Sequence, residues 1–150
     1  MSKWTDASGR TWRIEINMWT CRQVKKESGW DLPNIFNDGK GAKLAELLGD
    51  PFEMLSVLLV LVSPQLKEHD CTDEDFGRTL CGDVFLNAIE AFKTALTDFF
   101  PEHQANLLRK VFAAEKEVSA SLVEKANETL DQVDISMLTK RALSMQESVA

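Results

Sequence analysis

The sequence is poor in the residues that carry most enzyme chemistry. It has no tyrosine, two histidines and three cysteines in 150 residues. The sequence indicates no acid or base that would act with His103 in catalysis. It also contains neither a phosphate-binding loop nor a nucleophile elbow. We therefore expect a protein that is not an enzyme, with no catalytic residues and no cofactor.

The cysteines and the apolar runs indicate an intracellular protein. Cys21, Cys71 and Cys81 are odd in number and have no repeated spacing, so they do not form a disulfide framework. The first residues lack the apolar region of a secretory signal. The longest nearly apolar run, Met54 to Val62, is far shorter than the roughly 20 residues that span a bilayer. We expect reduced thiols, with at least one of Cys71 and Cys81 buried as a structural thiol.

Basic residues are also in the minority. Seventeen Lys and Arg against 24 Asp and Glu give a formal charge of −7. Nucleic-acid binders and proteins that dock on anionic membranes depend on Lys and Arg, so neither partner is expected. The apolar fraction of 44% is ordinary for a globular protein and provides a core without disulfides or metal.

One cluster of metal-capable side chains runs from Glu68 to Asp73 and includes His69 and Cys71. Because these residues are consecutive, a helix would point them in different directions, and no second cluster completes a four-ligand set. We interpret the segment as a solvated acidic helix junction and predict no metal ligands, with a metal site as the alternative.

The first 30 residues hold all four tryptophans and predict a small β-hairpin. Asp6 to Gly9 is a turn sequence, because Asp can bond its own backbone and Gly permits a positive φ. Apolar and polar residues then alternate from Thr11 to Met18, which predicts a strand with one buried face. Its expected partner strand is Lys3 to Thr5. The expected buried face consists of Trp12, Ile14, Ile16 and Met18.

Helix caps and helical periodicity predict a mainly α protein after the hairpin. Asp50-Pro51 is a helix start, with Asp as the N-cap, and opens a buried central helix that Ser63-Pro64 ends. Thr72 and Asp75 predict a capping box at the start of another helix. Shorter helices are expected at Thr20 to Ser28 and at Ala42 to Leu48, with a loop from Asp31 to Gly41 between them.

The clearest periodic signal is a helix seam spaced 4-3-4-3, which we expect to be core and not groove. The seam consists of Phe85, Ile89, Phe92, Leu96 and Phe99. Three flanking alanines, Ala88, Ala91 and Ala95, would allow a neighbouring helix to approach closely.

One basic face is expected on the first helix. Arg22, Lys25 and Lys26 share it by i, i+3 and i+4 spacing. We interpret it as a solvated face, with a contact for an acidic partner segment as the alternative.

Apolar density falls after Ala114. We predict a compact helical core domain with the hairpin at residues 1–114, and a helical or partly flexible C-terminal tail at 115–150. An apolar stripe continues into the tail although the core is complete without it. The tail is therefore the expected partner-binding surface. The predicted partner-binding residues are Val118, Leu122, Leu130 and Leu138.

Six short motifs follow one another in a particular order. They are Asp6-x-x-Gly9-x-x-Trp12-x-Ile14-x-Ile16, Gly29-Trp30-Asp31-Leu32, Leu44-x-x-Leu47-Leu48-x-Asp50-Pro51, Thr72-Asp73-Glu74-x-Phe76-Gly77, Leu80-x-Gly82-Asp83 and Asp98-Phe99-Phe100-Pro101. From roughly Trp4 to Phe112 this order resembles a tail assembly chaperone of long-tailed bacteriophages.

The resemblance implies a phage protein made in the cytoplasm of the infected bacterium and absent from the mature virion. Such chaperones cover the tape-measure protein until tail-tube protein replaces them, and they tend to self-associate. The implied partners are the tape-measure protein, the tail-tube protein and further copies of the chain. The alternative is a structural virion component such as a tail connector or tail-end protein. A small enzyme built on the Glu68 to Asp73 cluster is a third hypothesis.

Overall fold

The computed structural model describes residues 2–37 and 41–132. Within them the chain forms a two-stranded antiparallel sheet, six α-helices and one 3₁₀ turn, which confirms the predicted mainly helical class with an N-terminal hairpin. The elements are β1 (Ser2–Thr5), β2 (Thr11–Ile14), α1 (Met18–Ser28), the 3₁₀ turn (Leu32–Asn34), α2 (Ala42–Leu48), α3 (Pro51–Glu68), α4 (Asp73–Thr79), α5 (Gly82–Phe99) and α6 (Glu102–Gln132).

The chain divides into two units. The first is Met1–Asn106, and the second begins at Leu107. The predicted boundary after Ala114 stays a prediction, and the tail residues from 133 onwards lie outside the described part of the chain.

Asp6 holds the hairpin turn together. Its Oδ1 accepts hydrogen bonds from the backbone N–H groups of Ser8 at 2.9 Å and Arg10 at 3.0 Å. Its Oδ2 accepts a hydrogen bond from the indole Nε1 of Trp12 at 2.9 Å. Gly9 completes the turn with a φ of 83°, a conformation that favours glycine. The predicted turn is therefore confirmed, and its carboxylate also fixes a core side chain.

Strand β2 ends at Ile14 and not at Met18, because a helix cap follows it. The Asn17 side chain accepts a hydrogen bond from the Thr20 N–H at 2.9 Å, and the Thr20 hydroxyl accepts one from the Asn17 N–H at 2.8 Å. Met18 is consequently the first residue of α1 and is 68% exposed, so its predicted burial is wrong. The other three predicted members of the buried face are buried.

The predicted caps of α3 and α4 are confirmed. The Asp50 carboxylate accepts hydrogen bonds from the N–H groups of Phe52 at 3.0 Å and Glu53 at 3.3 Å. The Thr72 hydroxyl accepts one from the Asp75 N–H at 3.1 Å, and the Asp75 carboxylate accepts one from the Thr72 N–H at 3.4 Å. These bonds satisfy N–H groups that a helix start leaves without intrahelical partners.

The hairpin lies between two long helices. Helix α5 packs on β1 and β2, and α3 packs on β2. The buried alanines Ala88, Ala91 and Ala95 lie on α5, and Ala91 lines the same small cavity as the large Trp4 side chain of β1. These alanines were expected to allow a neighbouring helix to approach closely. In the described part of the chain the element that α5 contacts most is strand β1 of the hairpin.

The buried face of α5 is therefore not centred on the predicted seam but lies toward the side of the three alanines. Phe92 and Leu96, in the middle of the seam, are buried. Phe85, Ile89 and Phe99 are only half-buried. The seam is therefore core in its centre, while its two ends are partly open to solvent.

Side chains of α3 close the outer edge of β2. The Gln65 carboxamide accepts a hydrogen bond from the Arg13 N–H at 2.7 Å and donates one to the Arg13 carbonyl at 2.7 Å. The Nε2 atom of His69 lies 3.2 Å from the Thr11 carbonyl oxygen. Free backbone groups on an edge strand invite pairing with other chains. Here these groups have side-chain partners within the first unit.

Helix α3 passes through Pro64, where we predicted that it would end. It continues to Glu68, because buried side chains hold it on both sides of the proline: Leu61 before it and Leu66 after it. The chain leaves the helix at Asp70, whose φ of 48° lies in the left-handed region that often ends helices.

Replacing Pro64 with alanine is expected to raise the free energy of unfolding by about 1–2 kcal/mol. Alanine restores a backbone N–H inside α3, and because Pro64 is exposed it leaves no cavity. The gain stays below the full cost of an interior proline, about 3 kcal/mol, because proline also restricts the unfolded chain. Urea unfolding measures the change. Pro51→Ala is the control and should not stabilise, because the first helical turn needs no N–H there. A lower midpoint for Pro64→Ala would contradict the prediction.

Candidate functional site

Helix α6 presents apolar side chains to solvent along one face. Leu107 and Val111 are each 39% exposed, and Leu122 is 61% exposed. Their spacing along the helix places them within about 60° of one another around its axis. We call these three residues the α6 stripe. Exposed apolar side chains in a row, unlike single ones, are typical of interaction surfaces.

Charges of both signs accompany the stripe. The exposed charged residues of α6 between its first and last members and just beyond are Arg109, Lys110, Glu115, Lys116, Glu124 and Lys125. Mixed charge gives the surface no strong preference for an acidic or a basic partner. The affinity of a partner for this surface is therefore expected to depend on the large apolar side chains more than on the salt concentration.

The structure describes the side chain of only one of the four predicted partner-binding residues. Leu122 is exposed on α6, as a contact residue must be. Val118 and Leu130 are positions of α6 whose side chains lie outside the described part, and Leu138 lies outside it altogether. The sequence pattern places Leu107 and Val111 on the same apolar stripe as Leu122. It does not single them out as contact residues, because they fall within the predicted 1–114 core domain.

A groove of 910 Å³ opens within the first unit, beside β2, α3 and α5. Apolar side chains that line it are Ile14, Ile16, Leu61 and Ala95, and charged side chains that line it are Arg13, Glu15, Glu68 and Asp98. His69 also lines the groove; its imidazole contacts the Thr11 carbonyl and packs edge-on against Trp12 at a centroid distance of 4.8 Å. The imidazole is thus engaged in holding the hairpin.

The Glu68 to Asp73 cluster is divided among separate structural contacts. His69 faces β2, and Cys71 is buried with its sulfur 3.8 Å from the Arg10 guanidinium. In residues 2–37 and 41–132, no three His, Cys, Asp or Glu side chains come together to hold a metal ion. The metal alternative for this segment therefore gains no support.

Two of the three thiols are buried. Burial raises the pKa of the Cys71 thiol above its ordinary value, which the nearby Arg10 charge only partly offsets. Burial, with a smaller effect from the Asp31 carboxylate, raises the pKa of Cys21 to about 11. Both thiols are therefore protonated and unreactive at neutral pH. The predicted buried thiol is confirmed at Cys71, whereas Cys81 is exposed.

Helix α1 carries the predicted basic face. Arg22, Lys25 and Lys26 are exposed, and the Lys25 ammonium lies 3.5 Å from the Asp31 carboxylate. Trp19, at the start of the same helix, is 64% exposed.

No protein-family model, curated protein or solved structure matches the chain. The resemblance to tail assembly chaperones thus stays a prediction that rests on the order of the motifs. None of the helices in the described ranges combines the length and the apolar character needed to cross a bilayer.

Proposed function

We propose that the protein is a phage tail assembly chaperone that binds an apolar helical segment of a tape-measure protein and keeps it soluble during tail assembly. The observation that carries the proposal is the α6 stripe, in which Leu107, Val111 and Leu122 are exposed on one helix face. The sequence-predicted contacts Val118, Leu130 and Leu138 remain part of the proposal as predictions from the sequence alone.

The physical need for such a partner surface is simple. A long helical protein with apolar stripes aggregates when its stripes are exposed before assembly. A second helix that presents its own apolar stripe can cover such a segment by side-to-side packing. Because the α6 stripe has few large anchors, contact with it is readily reversed, which suits a factor that tail-tube protein later displaces.

Polar substitution of the stripe tests the proposal. The triple variant Leu107→Gln, Val111→Gln, Leu122→Gln keeps good helix formers on α6, and its exposed positions should each change folding stability by no more than about 0.5 kcal/mol. Loss of these contacts is expected to weaken binding about tenfold or more. The measurement is the soluble fraction of a tape-measure protein co-expressed with each variant. Leu86→Gln, at a leucine of α5 that is 60% exposed, is the matched control and should behave like the unaltered chain.

Two outcomes would count against the proposal in different ways. If the triple variant keeps the tape-measure protein as soluble as the Leu86→Gln control does, the α6 stripe is not the binding element. If the unaltered chain associates with no tail component, the chaperone function itself is wrong. Mass spectrometry of purified particles addresses the remaining hypothesis, because a stoichiometric copy number in the virion indicates a structural component.

A further inference from the structure

Helix α1 has two sharply different sides. Its buried side consists of Cys21 and Val24, and the helix packs on α3. Its outward side, which we call the α1 face, consists of Met18, Trp19, Arg22, Lys25 and Lys26. Trp19 and Met18 are 64% and 68% exposed, so two large apolar side chains lie together in solvent at the start of the helix.

Trp19 stands apart from the other tryptophans of the chain. Trp4 and Trp12 are buried in the hairpin, and the half-buried Trp30 donates a hydrogen bond from its indole to the Glu53 carboxylate at 2.8 Å. Trp19 is exposed, and its indole makes no hydrogen bond within the described part of the chain. An exposed tryptophan leaves much apolar surface in water, and tryptophan is enriched among the residues that dominate protein interfaces.

The charge of the α1 face is opposite to that of the chain. The protein carries a formal charge of −7, yet α1 has three cations and one acid, Glu27. Lys25 forms an ion pair with Asp31. Arg22 and Lys26 have no ion-pair partner in the described part of the chain. Two basic side chains are thus available to an external carboxylate.

The α1 face is also held in place before any partner arrives. The capping box of Asn17 and Thr20 fixes the start of α1, and Gly29, with a φ of 83°, donates its N–H to the Lys25 carbonyl at the end. A surface that is already ordered loses less conformational entropy on binding.

We propose that the α1 face binds an acidic amphipathic helix of a partner protein. Trp19 forms its apolar end, and Arg22 and Lys26 lie one and two turns along, roughly 5 and 10 Å away at 1.5 Å per residue. A helix lying alongside meets this row with an apolar residue followed by carboxylates three or four and then seven positions further on. Those positions share one face of the partner helix. No residue of the α6 stripe takes part, so the inference does not rest on the chaperone proposal.

A protein helix fits this surface better than a nucleic acid or an anionic bilayer. Two or three basic side chains attract an anionic membrane only weakly, and the net charge of −7 opposes approach to a large polyanion. Tryptophan and arginine together are typical of protein interfaces.

Two synthetic helical peptides test the inference by calorimetric titration against the full chain. Both are about 18 residues long, enough to be helical in water, and repeat the spacing above. One carries Glu at the charged positions and the other carries Lys. The Glu peptide is expected to bind, with an affinity that falls as salt rises, and the Lys peptide is not. Trp19→Ala is expected to weaken the Glu peptide about tenfold or more.

Charge reversal distinguishes a specific face from general attraction. The double variant Arg22→Glu, Lys26→Glu should lose the Glu peptide and gain the Lys peptide. The matched control Lys110→Glu, Lys116→Glu changes the net charge equally on exposed positions of α6 and should keep the original preference.

Three results would overturn the inference: no preference for the Glu peptide, equal loss in the Lys110 and Lys116 control, or tighter binding to phosphatidylcholine–phosphatidylserine vesicles or to an oligonucleotide than to the Glu peptide. Circular dichroism and urea unfolding of each variant check that the chain still folds, so that a loss of binding can be assigned to the α1 face.

Discussion

Truncating Phe92 to alanine is expected to lower the free energy of unfolding by about 3–5 kcal/mol. Phe92 is fully buried in the middle of α5, where that helix packs on the hairpin. Removing its ring loses apolar burial and leaves a cavity that the rigid surroundings fill only in part. Urea unfolding followed by circular dichroism measures the loss.

The ends of the same seam provide the control. Phe85 and Phe99 are half-buried, so Phe85→Ala and Phe99→Ala should each cost clearly less than Phe92→Ala. A loss below about 0.5 kcal/mol for Phe92→Ala, the size expected of a surface site, would contradict the described core. That result would make the whole seam a candidate for partner contact.

Replacing Asp6 with asparagine is expected to cost about 2–3 kcal/mol. The carboxylate accepts from two backbone N–H groups through Oδ1 and from the Trp12 indole through Oδ2. Asparagine of the same size keeps one acceptor oxygen, but its amide N–H₂ group then faces the indole N–H. Two donors meet and a buried hydrogen bond is lost, together with the negative charge that strengthened the others.

Two tryptophan variants isolate the indole bond. Trp12→Phe removes the donor to Asp6, whereas Trp4→Phe removes an Nε1 that has no hydrogen-bond partner in the described part of the chain. Trp12→Phe should therefore destabilise more than Trp4→Phe. Combining Asp6→Asn with Trp12→Phe should cost less than the sum of the two single changes, because both remove the same bond. If the losses of unfolding free energy in the two single variants add in full in the double variant, the two side chains do not share a stabilising bond.

The contribution of Asp6 to the free energy of unfolding depends on pH, and the direction follows from its lowered pKa. Burial alone would raise the pKa of its carboxyl group, but the bonds from Trp12, Arg10 and Ser8 and the Arg10 charge together lower that pKa below its ordinary 3.8. A lowered folded-state pKa gives stability that is fully present above the unfolded value and is lost as the pH falls through the folded value. The difference in the free energy of unfolding between the unaltered chain and Asp6→Asn should thus be constant near neutral pH and shrink below about pH 3.8.

Features set by neighbouring residues were predictable from the sequence. The caps at Asp50 and Thr72, the turn at Asp6 and the full extent of α2 each depend on a few consecutive side chains. Contacts between distant segments were not predictable in this way. Gln65 closes the edge of β2 across 52 positions of the chain, and nothing in its local sequence distinguishes it from a solvent-exposed glutamine.

Long-range packing also explains the errors. A proline signals a helix end locally, yet Leu61 and Leu66 are both buried, and that burial carries α3 through Pro64. Periodicity finds an apolar row without showing what covers it. For the same reason Leu107 and Val111 were placed in the predicted core domain, although each is 39% exposed, whereas Leu122, in the predicted tail, is 61% exposed.

The hairpin is synthesised before the two helices that cover it. Its strands leave the ribosome before α3 and α5 do, and an isolated two-stranded hairpin is at best marginally stable in water. Its cover consists of α3 and α5, and α5 ends only at Phe99. At typical translation rates the nascent chain carries the uncovered side chains of Trp4 and Trp12 for on the order of 10 s. The hairpin therefore waits for α5 before it reaches its native surroundings, and its apolar side chains stay exposed during that interval.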